Sequence, residues 1–80
     1  MMDRKTALTQ YIKQEIMRNP NAKLQENDDL LSAGILDSLA ILQLVAYIEE
    51  TFGIKVPDED VVFENFQSIS ALAQYLDGQN

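Results

Sequence analysis

Eighty residues at 46% hydrophobic, 8% aromatic and 24% charged describe one small globular domain, spanning 1–80, with no room for a second. Thirteen acids against six bases give a formal charge of -7, which argues against nucleic acid and anionic membrane surfaces as partners and towards basic protein surfaces. The chain has no cysteine and no histidine, so disulfides, thiolate nucleophiles, Cys/His zinc sites and imidazole acid–base steps are all excluded.

The first helical signal runs over about 3–18, where Leu8, Ile12 and Ile16 recur every four residues with Tyr11 beside them. Asn19-Pro20-Asn21 stops it, because proline cannot continue a helix and restrains the residue before it. Residues 19–37 read as one long connection with turn formers Asn27, Asp28, Asp29 and Gly34. Leu30, Leu31, Ile35 and Leu36 should pin it to the core, with Gly34 at positive φ. Loops this long in small domains are uncommon and often functional.

The second helix, 38–52, is the most strongly patterned. Ile41, Leu44, Val45, Ile48 and Phe52 make its apolar stripe, and Leu39 and Leu42 are expected to widen it. Asp37 or Ser38 is a good N-cap, and Gly53 a good terminator. Pro57 followed by Asp58-Glu59-Asp60 reads as a helix start, so a short third helix is expected at 58–63. That acidic run lacks the spacing of a calcium loop and would at most attract ions loosely. Ser68 precedes a last helix at 69–77, closed by Gly78. Val61, Val62, Phe63 and Phe66 should pack between the second and fourth helices. The fold class is all-α, a four-helix bundle with a long first loop.

Charge is unevenly placed. Residues 1–23 carry five bases against two acids, a balance of +3; residues 24–80 carry Lys55 against eleven acids, a balance of −10. The acidic part is either a solvated face or a docking surface. No apolar run is long enough to cross a bilayer and Met1–Thr6 opens no signal region, so the expectation is a soluble, cytoplasmic monomer.

The unusual segment is Gly34-Ile35-Leu36-Asp37-Ser38-Leu39, which puts a serine at the mouth of the strongest helix. With no histidine to activate it, Ser38 is no independent nucleophile, and an autonomous hydrolase is rejected. It can still accept a group when another enzyme does the activating, and a phosphodiester there would meet the free N–H groups and positive end of a helix. Ser38 as a mere N-cap is the plainer alternative, which would make the chain an acidic helical interaction module.

The extended pattern resembles the acyl carrier and peptidyl carrier protein family. It comprises Leu30-Leu31-x-x-Gly34-Ile35-Leu36-Asp37-Ser38-Leu39 and Leu44-Val45-x-x-Ile48-Glu49-Glu50-x-Phe52-Gly53-Ile54-x-Val56-Pro57, with Asn65-Phe66 and Ser68-Ile69-x-x-Leu72 beyond. The likeness covers roughly residues 5–77. It implies a four-helix acyl-carrier bundle and a non-catalytic carrier. Ser38 would bear 4′-phosphopantetheine, added from coenzyme A by a phosphopantetheinyl transferase, and the arm's thiol would carry acyl or aminoacyl thioesters. The family pattern makes Asp37 an acidic neighbour read by the transferase and partner enzymes. It makes Leu39 a partner contact, and Glu49, Glu50 and Asp58 docking acids for basic patches on loading, condensing or transfer enzymes. Ala46 and the Phe63–Phe66 region would line an entry for an acyl chain into the core. Fatty-acid carriers usually place acids two and five residues after the serine; Ala40 and Gln43 stand there instead, and Lys55 replaces a common acid. This points away from housekeeping fatty acid biosynthesis and towards a specialised carrier in polyketide, nonribosomal-peptide, modified-lipid or D-alanyl transfer.

Overall fold

Asp3 starts the first helix. Its carboxylate accepts the Thr6 amide at 2.7 Å, which satisfies one orphan N–H and holds the Asp3 carboxyl below its usual range. A computed structural model describes residues 3–79. Its regular elements are α1 (Arg4–Tyr11), α2 (Ser38–Phe52), α3 (Phe63–Phe66) and α4 (Ile69–Asp77), with no strand among the described residues.

After Tyr11 the first helix widens into a π turn over Ile12–Ile16, with the Met17 amide reaching back five residues to the Ile12 carbonyl at 2.8 Å. In an α-helix a four-residue spacing drifts by about 40° per step, because a turn takes 3.6 residues. Widening the turn reverses that drift and keeps Ile16 near the stripe of Leu8 and Ile12. Arg18 then takes the left-handed conformation, φ 56°, before Pro20. The single α-helix expected over 3–18 is thus an α-helix of eight residues followed by a π turn.

The connection to α2 is anchored at Leu30, which is fully buried. Its amide donates to the Gln67 carbonyl at 2.8 Å, and its carbonyl accepts from both Ile35 and Leu36 at 3.0 Å. A second tie joins the Ser70 amide to the Glu26 carbonyl at 2.9 Å. Between them the Asp29 carboxylate accepts from the Leu31 and Ser32 amides and the Ser32 hydroxyl, and the first of these effects in strength, the Ser32 amide, keeps Asp29 readily ionised. Gly34, φ 75°, turns the chain out of this motif. Leu36 is buried; Leu31 and Ile35 pack against the core from the rim.

Ala40, Leu44 and Ile48 carry α2 into the core, and Gly53 ends it in the left-handed conformation, φ 68°. Leu39 and Leu42 do not widen the buried stripe: they are 65% and 67% exposed. They lie away from Ile48 on the helix cylinder. Ile54 and Val56 are buried after the turn.

The short third helix is displaced. Asp58–Asp60 forms only a 3₁₀ turn, and the α-helical turn begins at Phe63. The Asn65 amide group bonds the Asp60 carbonyl at 2.9 Å and Tyr75 Oη donates to Asp60 Oδ2 at 2.5 Å, so the 3₁₀ turn is tied down before it can extend. A four-residue helix has one inward face. Phe66 fills it and is buried, whereas Val62 and Phe63 stay 42% and 53% exposed instead of packing between α2 and α4.

α4 is capped by Ser68, whose Oγ accepts the Ala71 amide at 3.0 Å, and buries Ile69, Leu72, Ala73 and Leu76. It packs along α1. Arg4 fastens one end of that contact by pairing with Asp77 at 2.6 Å, and its guanidinium lies 5.7 Å from the ring centroid of Phe52 at the end of α2. Across the α1–α2 seam Tyr11 stacks on Tyr47 at 4.1 Å, and the two phenols donate to the carbonyls of Gln43 and Ala7.

Candidate functional site

Ser38 is the first residue of α2 and is exposed. Asp37 precedes it with extended backbone, and its Oδ1 accepts the Ala40 amide at 2.8 Å. The cap is therefore Asp37, not Ser38, and the serine hydroxyl is left free of the helix. The Asp37 carbonyl accepts from Ile41 at 2.9 Å. Among the described residues the amides of Ser38 and Leu39 donate to no protein acceptor. An exposed hydroxyl thus stands where two free N–H groups and the positive end of a 15-residue helix meet.

The surroundings of Ser38 differ by side. On the outer face of α2, Leu39, Leu42 and Ala46 are exposed, making a largely uncharged front. Glu50 lies on the line of Leu39, eleven residues on, about 16 Å along the axis at 1.5 Å per residue. It is exposed. Glu49 is half-buried, and its Oε2 accepts the Val56 amide at 3.3 Å, so its carboxylate holds the turn after α2. Asp58 is exposed at the head of the 3₁₀ turn. The five residues proposed for docking are therefore spread along α2 and beyond rather than clustered at the serine. Ala46 is exposed and Phe66 is buried, with Phe63 outside. Among the described residues no group of three acidic side chains gathers as a metal site, the Asp58–Asp60 run included. No helix among them is long and apolar enough to cross a membrane.

On the inner side a depression of about 310 Å³ abuts the serine, bounded by Gly34, Asp37, Leu39, Glu15 and Arg18. Arg18 and Gln43 were not legible as site residues. The helix stop at Asn19-Pro20 marks where the first helix ends, and carries no sign that Arg18 turns left-handed beside the serine.

The family defined by the phosphopantetheine attachment site matches residues 6–76. The chain belongs to that family. Its members are carriers, acted upon by enzymes rather than catalytic themselves, and the cofactor is covalently attached 4′-phosphopantetheine. D-alanyl carrier proteins of Streptococcus pyogenes, serotypes M5 and M1 among them, are 35% identical over 48 residues, 60% of this chain. The match spans 61% of the length of those curated relatives. Among solved structures, a chain from the crystal structure of an FAD-dependent dehydrogenase superposes with a TM-score of 0.79 at 31% identity, covering 85% of this carrier and 96% of that chain. The structure of Bradyrhizobium japonicum glycine:carrier protein ligase complexed with glycylated carrier protein gives a TM-score of 0.65 at 23% identity, over 88% of this carrier and 89% of that chain, and supports the acyl-carrier fold.

The residues of the carrier fit the cofactor. A phosphodiester on Ser38 would face the free amides of Ser38 and Leu39, with the Arg18 guanidinium lining the depression alongside. Neither ion pair among the described residues, Arg4–Asp77 or Lys5–Glu26, uses Arg18.

Proposed function

We propose that Ser38 is the attachment serine and that the chain carries aminoacyl thioesters between a loading ligase and a transfer enzyme. The observation that carries the first half is the division of labour at the start of α2: Asp37 caps the helix, which leaves the Ser38 hydroxyl exposed and unbonded. In attachment, Ser38 Oγ forms a bond to the β-phosphorus of coenzyme A while the bridging P–O bond breaks. The nucleoside bisphosphate leaves, and the serine proton passes to a base of the transferase. When bound, the arm supplies the thiol that this cysteine-free chain lacks. The Ser38 and Leu39 amides would hold the phosphodiester by charge-assisted hydrogen bonds.

The aminoacyl reading is supported by the D-alanyl carriers among the relatives and by Ala40 and Gln43, which stand where fatty-acid carriers usually place acids. An aminoacyl cargo suits D-alanyl transfer or nonribosomal-peptide assembly; polyketide and modified-lipid acyl groups are the other outcomes. Partner enzymes meet Leu39, Leu42, the second oxygen of Asp37, Glu50 and Asp58; Glu49 contributes by holding the turn at Val56. Such contacts are small and transient, as a shuttle requires.

The test is the intact mass after incubation with coenzyme A and a broad-specificity phosphopantetheinyl transferase, beside Ser38→Ala. A gain of one phosphopantetheine in the parent alone supports the attachment reading. A folded parent that gains nothing, beside an active transferase, returns the chain to an interaction module. The mass of the loaded protein from its native cell then separates an amino acid from a fatty or polyketide acyl group.

A further inference from the structure

A groove leaves Ser38 and follows the seam between the first helix and α2. It begins in the depression of about 310 Å³ flanked by Asp37, Leu39 and Ala40, the residues on either side of the serine. Glu15, Arg18 and Gln43 form its far wall, and the same three line the next depression, about 370 Å³, which continues to Tyr11 and Gln14. Tyr11, Gln14 and Glu15 in turn border a third, which ends at Tyr47. Three depressions that share walls make one path. Along α2 it spans residues 39–47, about 12 Å at 1.5 Å per residue.

The wall chemistry is specific. Gln14 and Gln43 bring side-chain amides, Glu15 a carboxylate and Arg18 a guanidinium. Among the described residues none of these four side chains makes a hydrogen bond or ion pair to the protein. The two irregularities of the first helix both fall on the groove: Glu15 lies in the π turn and Arg18 is the left-handed residue beyond it. Its polar groups contrast with the outer face of α2, where Leu42 and Ala46 are exposed.

We propose that the attached arm rests in this groove when no enzyme holds it. The inference builds on Ser38 as the attachment serine. The arm is polar, with a phosphodiester at its root and two amides along its length. The phosphodiester matches Arg18, and the amides match Gln43 and Gln14 in order along the path. The tether supplies the missing affinity, because a group held on a short flexible link has an effective concentration of the order of millimolar, so weak amide–amide bonds suffice. Ile16, Ile35, Leu39 and Ala40 add apolar surface where the groove begins. Resting in the groove also leaves Leu42 and Ala46 clear for enzymes.

The test compares amide and side-chain NH₂ resonances of the unmodified and phosphopantetheinylated protein, each form verified by intact mass. Attachment should shift Glu15, Arg18, Gln43 and the side-chain amides of Gln14 and Gln43, besides Asp37–Ala40. In the Gln14→Ala/Arg18→Ala/Gln43→Ala variant the differences should shrink to residues 37–40, while its unmodified spectrum shows the fold intact. Gln43→Ala alone should weaken the distal shifts if the triple change unfolds the protein. Differences confined to residues 37–40 in the parent would mean an arm free in solvent and would overturn the proposal. Differences at Phe63–Phe66 would place the arm on the other side and overturn it equally. Failure to gain mass at Ser38 would remove the arm itself, and would be read from the mass before any spectrum.

Discussion

Asp37 uses one carboxylate oxygen on the Ala40 amide and keeps the other beside Ser38. Capping and recognition can therefore be separated by substitution. Asp37→Ala should lose about 1 kcal/mol of stability, the usual cost of removing an N-cap, seen as a lower urea midpoint. Asp37→Asn keeps the acceptor and should hold the midpoint, while kcat/KM of the transferase falls with the lost charge. If both variants load alike, the charge of Asp37 is not read. Tyr75 makes a second residue-scale prediction. Burial, then its hydrogen bond to Asp60, push its phenol up to about 12. The folded state thus retains that proton more tightly than the unfolded chain. The associated stability is complete below the ordinary tyrosine pKa near 10, and is lost as pH rises from 10 towards 12. Phenolate absorbance should show a late step that Tyr75→Phe removes. Asp29 runs the other way: its depressed carboxyl stabilises above the ordinary aspartate value of 3.8, and that contribution disappears as pH falls below it. Asp29→Asn should therefore flatten part of the acid unfolding curve.

At the scale of elements, the loop between the first helix and α2 is held by its core contacts. Leu30→Ala should cost about 2–5 kcal/mol, because it empties a fully buried site that also sets three backbone hydrogen bonds. Leu42→Ala, on the exposed front of α2, should change stability by no more than about 0.5 kcal/mol. Its effect should fall instead on partner kinetics, measured as acyl-transfer rates at matched stability. Equal unfolding losses for the two leucines would contradict this assignment of faces. The same comparison shows what a sequence carries. The limits of α2 are written in it, since Asp37 and Gly53 are chemically suited to a cap and a left-handed stop. The exposure of Leu42 is not, because apolar periodicity gives the width of a stripe without saying which part a neighbour covers. Asp58–Asp60 reads as a helix start, because proline followed by acids suits a first turn. Only the tertiary bonds of Asp60 to Asn65 and Tyr75 show that the turn stops there. Nor does the π turn leave a mark, as Ile12 and Ile16 keep the spacing of an ordinary helix.

For the whole molecule, the balance of −7 bears on how it meets partners more than on how it folds. Glu50 is exposed at the far end of α2, whereas Glu49 holds the Val56 amide. Glu50→Lys should slow loading at low salt, with the defect shrinking as salt rises because exposed charges are screened over about 8 Å at physiological ionic strength. Glu49→Lys should add a fall in melting temperature that salt does not repair. Loading rates unaffected by Glu50→Lys at low salt would show that association is driven by the apolar front alone.

The Leu30 anchor also settles where travel can occur. The segment leading to Ser38 is bonded to Gln67 and, through Glu26, to the first turn of α4. On the proposal that Ser38 bears the arm, the serine would be a pivot tied to the body. Reach would then belong to the swinging arm, and longer journeys to the tumbling of a particle whose radius of gyration is 11.5 Å. An enzyme would have to approach the pivot, and competing enzymes would form a queue for a single berth.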